Sequence, residues 1–317
     1  MRRTGFVYDE RCELHDNGSM LRESRVQDWL DIPHAENAER LRRSNQVLER
    51  SGVLDALVRV PAREATAEEL ELVHPASHVE KIRAASERGG LEWVGPEARV
   101  SAGTWTAAVL AVGALLEAVD RVVAGDVDNA FVCCRPPGHH ASAEEAMGFC
   151  LFNSVAVAAR YLQSRHRLER VAIVDWDVHH GNGTEAIFWD DPSVLFVSMH
   201  QWPFYPGTGG PGDGNETTLN VPLPAGSGDA DYERAFVEKS VIVFGSMEAT
   251  LTPLMEEIER NHPRVKVFSL PSVDHPEWGR HIDLGVKGDP SAVEAAYPRL
   301  IEGLKSLGAK LGPELVR

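Results

Sequence analysis

The feature that most constrains the fold is a rhythm of short apolar runs interrupted by a helical stretch. NAFVCC occupies 129–134, NSVAVAARYLQSRH 153–166, VAIVDW 171–176 and SVLFVSMH 193–200. The first, third and fourth are rich in Val, Ile and Phe and bounded by turn residues, so they read as strands; 153–166 reads as helix. Strand, helix, strand, with the strands continuously apolar, predicts a parallel sheet covered on both faces. Helical periodicity also marks 36–50 and 105–124, the latter closed by Gly125. The expected class is α/β, a doubly wound, mainly parallel sheet with helices on both faces.

Composition narrows the setting. Of 317 residues, 43% are hydrophobic and 25% charged, the ordinary mix of a globular protein. No uncharged apolar window reaches about 18 residues, so no membrane span and no membrane partner is expected. The opening MRRTGFVYDE has no apolar segment of the secretory kind, which makes cytoplasmic the expected location. Cys12, Cys133, Cys134 and Cys150 lack C-x-x-C spacing and read as small thiols in a reducing compartment. A formal net charge of −16 argues against a nucleic-acid partner and leaves room for a cationic or neutral substrate. Self-association into a homo-oligomer stays open.

In open α/β sheets, ligands bind beyond the carboxyl ends of the strands. The polar clusters fall there: RPPGHH at 135–140, DWDVHHGNG at 175–183 and MHQWPFYPGTGG at 199–210. Three successive strands thus bring them to one edge, where one site is expected. Asp177 and His179 are two apart in a segment read as extended, so their side chains point the same way. A carboxylate and an imidazole make two of the three protein ligands of a catalytic zinc site, whose fourth position holds water. Zinc there lowers the water's pKa and polarises a carbonyl. His139 and His140 suit a general base and its acid or electrostatic partner. Asp175 and Asn182 are placed to orient their other ring nitrogens. Each piece also has a plainer reading: a structural His-His pair, turn chemistry for Asp-x-Asp, and a bare turn for Gly-Asn-Gly.

RPPGHHA, GFCLFN at 148–153 and DWDVHHGNGT together closely resemble the zinc-dependent histone deacetylase family, which includes acetylpolyamine amidohydrolases and acetoin-utilisation proteins. Asn182 and the style of residues 1–130 look most like bacterial class II-type members. The resemblance covers about 1–238, ending in LNVPLPAGSGDADYERAF. It implies an arginase/deacetylase-like fold and hydrolysis of N-acetyl amides of lysine or polyamines. It assigns catalysis to His139 and His140, with Asp175 behind the first, and two zinc ligands to Asp177 and His179. Gly148, Phe149 and Tyr205 match the acyl-lysine tunnel, where the second aromatic is more often Phe. Asp175, Asp177, His179, Ser198 and Met199 match a structural potassium site. In the implied reaction a histidine of the pair takes a proton from the attacking water, and the amine leaves protonated.

The chain departs from that pattern beyond residue 238. The family draws its third zinc ligand from a stretch like S-x-G-F-D-A-H and an oxyanion donor from Gly-Gly-Tyr, a donor whose loss is expensive. Neither is present, and the Gly-Gly pairs at 89–90 and 209–210 precede no tyrosine. Two parts are therefore expected: a deacetylase-like domain over 1–238 and a divergent βαβ-like segment over 239–317. The latter has strand-like SVIVFGS (240–246), helical LTPLMEEIERN, strand-like VKVFSL (265–270), a loop PSVDHPEWGR, a short strand HIDLGV (281–286) and a helix from about Ser291. It more weakly resembles the C-terminal part of competence-damage-type molybdopterin-binding proteins, without the part that holds their ligand. Asp274, in Ser-Val-Asp-His-Pro, is either a substitute third zinc ligand or a loop residue capping a turn before Pro276. Tyr297 lies in a helical stretch and is a poor substitute for the missing tyrosine. Two functional readings follow: a zinc-dependent amidohydrolase with reduced turnover, or a catalytically inactive module that binds acyl-lysine or metal.

Overall fold

A computed structural model describes residues 2–19, 32–229, 231–232, 239–246, 248–263, 265–275, 279–288 and 290–316. The chain divides into two compact units. One comprises Met1–Asp175, His180–Val197 and Gly214–Leu219, the other Trp176–His179, Ser198–Asp213 and Asn220–Arg317.

The first unit contains, in order, β1 (Thr4–Tyr8), α1 (Ala38–Arg50), β2 (Val58–Val60), α2 (Ala67–Leu70), α3 (Ala76–Glu87), β3 (Glu92–Gly95), β4 (Ala98–Val100) and α4 (Thr104–Val123). It continues with β5 (Asn129–Cys133), α5 (Ser154–His166), β6 (Val171–Asp175) and α6 (Asn182–Phe188). The strands β7 (Val194–Gln201) and β8 (Thr218–Leu223) begin in it. A parallel sheet runs in the order β2-β1-β5, β3 and β4 form a hairpin, and β6-β7-β8 form a second three-stranded sheet.

The central strand of the first sheet shows why its sequence is continuously apolar. Phe6 packs with Cys12, Leu41, Leu54 and Cys133, while the alternate residue Val7 packs with Val60 and with Ala114 and Ala118 of α4. Both of its faces are covered. Cover is less even along β5, β6 and β7. Val194 joins Ala156, Ala159 and Phe188, with Val171 and Ile173 against them, yet the alternate residues Val174 and Leu195 are each 40% exposed and Phe131 of β5 is 51% exposed. Helices α5 and α6 cover the face that bears Val194, Val171 and Ile173, while on the alternate face of β7 Leu195 is exposed and Met199 buried. Nor do β5 and β6 belong to one sheet; each lies in its own three-stranded sheet.

The second unit holds β9 (Lys239–Phe244), α7 (Glu248–Asn261), β10 (Val265–His275), β11 (Gly279–Gly288), α8 (Pro290–Ser306) and β12 (Lys310–Val316). Its sheet runs β10-β11-β9-β12 with every neighbouring pair antiparallel. This β-α-β-β-α-β arrangement is fuller than the βαβ unit read from the sequence. Ile282, Leu284 and Val286, spaced by two, pack with Val241 and Val243 against Leu251 and Ile258 of α7 and Ala296, Leu300 and Leu304 of α8. The stretch from Pro271, read above as a loop, instead prolongs β10: Pro271 pairs with Ile282 and Ser272 with His281 before the register shifts. A proline is tolerated there because β10 is an edge strand. Asp274 lies within this strand, and its side chain is outside the described residues. Among the described residues no helix is long and apolar enough to cross a membrane.

Candidate active site

Beyond β5 the chain turns through RPPGHH and presents two imidazoles side by side, their centroids 4.0 Å apart and their planes inclined by 41°. His139 Nδ1 lies 2.8 Å from Asp175 Oδ2, and His140 Nδ1 lies 2.8 Å from Asn182 Oδ1. Both partners are acceptors, so each Nδ1 carries a hydrogen. The backbone of the pair is fixed as well: the N–H groups of Gly183 and Thr184 donate to His139 O at 3.0 and 3.1 Å. This approach requires glycine. A Cβ at Gly183 would sit 2.3 Å from Ala141 O, and one at Gly138 would sit 2.8 Å from Phe152 O.

The loop after His140 carries Gly148 and Phe149, both at positive φ (53° and 68°). Their N–H groups donate to Pro96 O and Glu97 O at the β3–β4 turn, at 3.0 and 3.1 Å. The Phe149 ring meets His34 edge-on with centroids 4.6 Å apart. Behind the pair, Arg135 makes a two-pronged bond to Glu36 (2.7 and 2.8 Å) and donates to His15 O at 2.6 Å, with both charged side chains buried. Burial raises the Glu36 carboxyl, but the guanidinium outweighs it and holds the carboxyl below its ordinary pKa. Burial pushes the neighbouring His15 imidazole down to about 4. The sequence reading missed this pair. Its one signal is an arginine placed directly between an apolar strand and PPGHH, where a charge needs a buried partner.

The second unit holds the remaining candidates. Asp177 Oδ1 accepts the N–H of His179 at 2.8 Å and faces His179 Nδ1 at 3.0 Å. The two residues therefore converge through a side-chain turn on a bend, not through strand alternation, and the turn chemistry weighed above is present. Phe204 stacks on the His179 ring at 4.9 Å, and Tyr205 meets it edge-on at 5.9 Å. Burial, reinforced by the Asp177 charge, raises the pKa of the Tyr232 phenol. Ser198 and Met199 are buried, and Ser198 Oγ lies 3.0 Å from His200 Nδ1. His200 Nε2 in turn reaches Gly209 O at 2.9 Å, tying down the loop that bears the two aromatics.

Zinc was expected here. Asp177 and His179 are donors of the right chemistry on converging atoms, but two donors do not complete a zinc cage. Among the described residues no group of three or more His, Cys, Asp or Glu is arranged to hold a metal ion.

Residues 34–257 match the family model described as Histone deacetylase domain. The chain belongs to the histone deacetylase family. The histone deacetylase-like amidohydrolase of Pseudomonas aeruginosa is 42% identical over 244 residues, covering 74% of this chain and 64% of that protein. The probable deacetylase of Archaeoglobus fulgidus is 38% identical over 236 residues, covering 72% and 61% respectively. The crystal structure of the HDA15 HD domain matches with a TM-score of 0.67 at 37% identity, covering 74% of this chain and 66% of that one. The deacetylase fold expected from the sequence is thus borne out. This family member spans less than two thirds of the length of these curated relatives. Histone deacetylases are generally zinc-dependent.

Proposed function

We propose that the chain is a zinc-dependent amidohydrolase that removes acetyl groups from acetylated lysine or an acetylated polyamine. The observation that carries this reading is the histidine pair: two adjacent rings, one backed by a carboxylate and the other by an amide oxygen. Hydrolysis of an amide takes a proton from water and gives one to the leaving amine. Two rings this close resist being cations together, so the pair handles one proton at a time. Asp175 stabilises the positive charge on His139, and Asn182 offers His140 no such charge, so the two rings are unequal in holding the proton.

Zinc supplies a water of lowered pKa and a polarised carbonyl when bound. Asp177 and His179 would hold it, with Asp274 as the third donor. Potassium would take Asp175, Asp177, His179, Ser198 and Met199, while Gly148, Phe149 and Tyr205 would flank the acyl chain. The net charge of −16 favours an amine substrate over an anionic one. In this reading residues 1–238 carry the chemistry apart from Asp274, residues 239–317 form a divergent segment, and the protein works in the cytoplasm. The second reading, an acyl-lysine or metal-binding module without turnover, is favoured by one observation: the sequence carries neither S-x-G-F-D-A-H nor Gly-Gly-Tyr.

The deciding experiment is hydrolysis of a fluorogenic acetyl-lysine substrate by zinc-replete protein, with a chelator control. Chelator-sensitive turnover is expected, and Asp274→Ala should abolish it as completely as Asp177→Ala. Binding of an acetyl-lysine peptide by folded protein without turnover would replace the first reading by the second.

A further inference from the structure

Two buried histidines of the first unit take no part in the site as read above. His74 and His78, the first just before α3 and the second within it, stack at 5.0 Å and are 0% and 3% exposed. Their ring nitrogens all face backbone groups of the segment that joins His140 to α5. His74 Nδ1 meets Ala143 O at 2.9 Å, and its Nε2 accepts the N–H of Asn153 at 2.9 Å. Accepting at one nitrogen while facing a carbonyl at the other defines a neutral ring, protonated on Nδ1. Burial, which pushes His74 down to about 4, acts in the same direction. His78 spans Glu144 O at 3.1 Å and Leu151 O at 2.8 Å. Two side chains thus meet four backbone groups of a loop that has few ladder partners of its own.

The connection continues to the histidine pair. Asn153, whose N–H is held by His74, caps α5 by accepting from Ala156 N at 3.1 Å. Its amide donates to Ala141 O and to Thr184 Oγ1, each at 3.0 Å. Thr184 N donates to His139 O at 3.1 Å. Every residue on this route is buried or lies directly on the backbone of the pair.

We propose that His74 and His78 are positioning residues for the histidine pair, holding the loop beyond it by its backbone and acting on His139 through Asn153 and Thr184. For turnover this rests on the amidohydrolase reading; the geometric claim does not. The test compares His74→Phe, which keeps a ring and loses both bonds, with His74→Gln, which keeps one donor and one acceptor, and with Thr184→Val, which removes the hydroxyl that accepts from Asn153 and leaves His74 untouched. Expected are a loss in kcat of about 10–100-fold in His74→Phe and Thr184→Val, as for other orienting partners. Faster amide exchange across residues 141–153 in His74→Phe, and recovery of both readouts in His74→Gln, complete the pattern. Wild-type kcat and exchange in His74→Phe would overturn the proposal. Should that variant not fold, wild-type kcat in Thr184→Val would overturn it instead. If the wild-type protein turns nothing over, the proposed function fails, and the imidazole resonances of His139 and His140 decide the matter: shifted in the variants they support positioning, unmoved they exclude it.

Discussion

The His139–His140 region and the Asp177–His179 region answer the same sequence rule in opposite ways. Each is a short polar cluster that follows an apolar strand. Around the first, packing has settled nearly every atom: the rings have oriented partners, the peptide between them is bonded, and glycines admit backbone where a side chain would collide. The second is half open to solvent, with Asp177 50% and His179 34% exposed in their side chains, and the two are joined by a local turn. The difference is one of what must be complete. Each ring is oriented by a single partner on one neighbouring segment, whereas a metal cage needs donors from several segments at once. Proton-handling geometry therefore needs few contributors, and metal-binding geometry depends on the weakest of several.

The largest expected effect separates the two regions. Asp177→Ala should remove bound zinc and all turnover together, while His140→Ala should lower turnover by about 10²–10⁴-fold and leave zinc content unchanged. Zinc content by elemental analysis beside kcat measures both, and zinc loss in His140→Ala would break the comparison.

A second expectation concerns acid. His15 and His74 are buried and neutral, with folded pKa values of about 4 against 6.5 for an exposed ring. Below pH 6.5 the unfolded chain takes up protons that the folded protein refuses. Their contribution to stability is thus intact above pH 6.5 and lost as pH falls toward 4, by up to about 3 kcal/mol for each ring. Urea denaturation from pH 7 to pH 4 reads this slope, and His74→Gln should lessen it by about one proton at most. A flat profile over that window would show that these rings are not held neutral.

The smallest effect is expected on the uncovered side of β6. Val174→Lys should change stability by less than about 0.5 kcal/mol, whereas Phe6→Ala, on a strand covered on both faces, should cost about 3–5 kcal/mol. Urea midpoints of the two variants give the contrast directly, and comparable losses would mean that Val174 is covered in solution.

Much of this was legible in the sequence. The helices at 38–50, 104–123 and 154–166 and the strands at 129–133, 171–175 and 194–201 stand within a residue or two of where periodicity puts them, because long apolar stripes and short apolar runs are local signals. The juxtaposition of His139 with Asp175 and of His140 with Asn182 was legible because all four follow strands or glycine turns. What escaped was non-local. An apolar strand looks the same in sequence whether one face or two will be covered, so the open face of β6 left no mark. Pro271 and the residues after it read as a loop because proline is a breaker, and only the edge position of β10 makes it acceptable in a strand. His74 and His78 carry no motif, and Asn153 was read only as the end of GFCLFN and the start of a helical stretch, since each is needed for the backbone it reaches and not for its place in the chain.

The buried Arg135–Glu36 pair joins positions 99 residues apart, and it sets a rule for anyone reshaping this protein. Removing the segment that contains Glu36 would leave a guanidinium in the interior without its counter-charge, an error worth about 3–5 kcal/mol and larger than most single substitutions. The early part of the chain is therefore not a detachable leader to the histidine cluster. Any trimming, circular permutation or fusion that keeps RPPGHH must keep Glu36 in place, or replace both members of the pair with apolar side chains of matching volume.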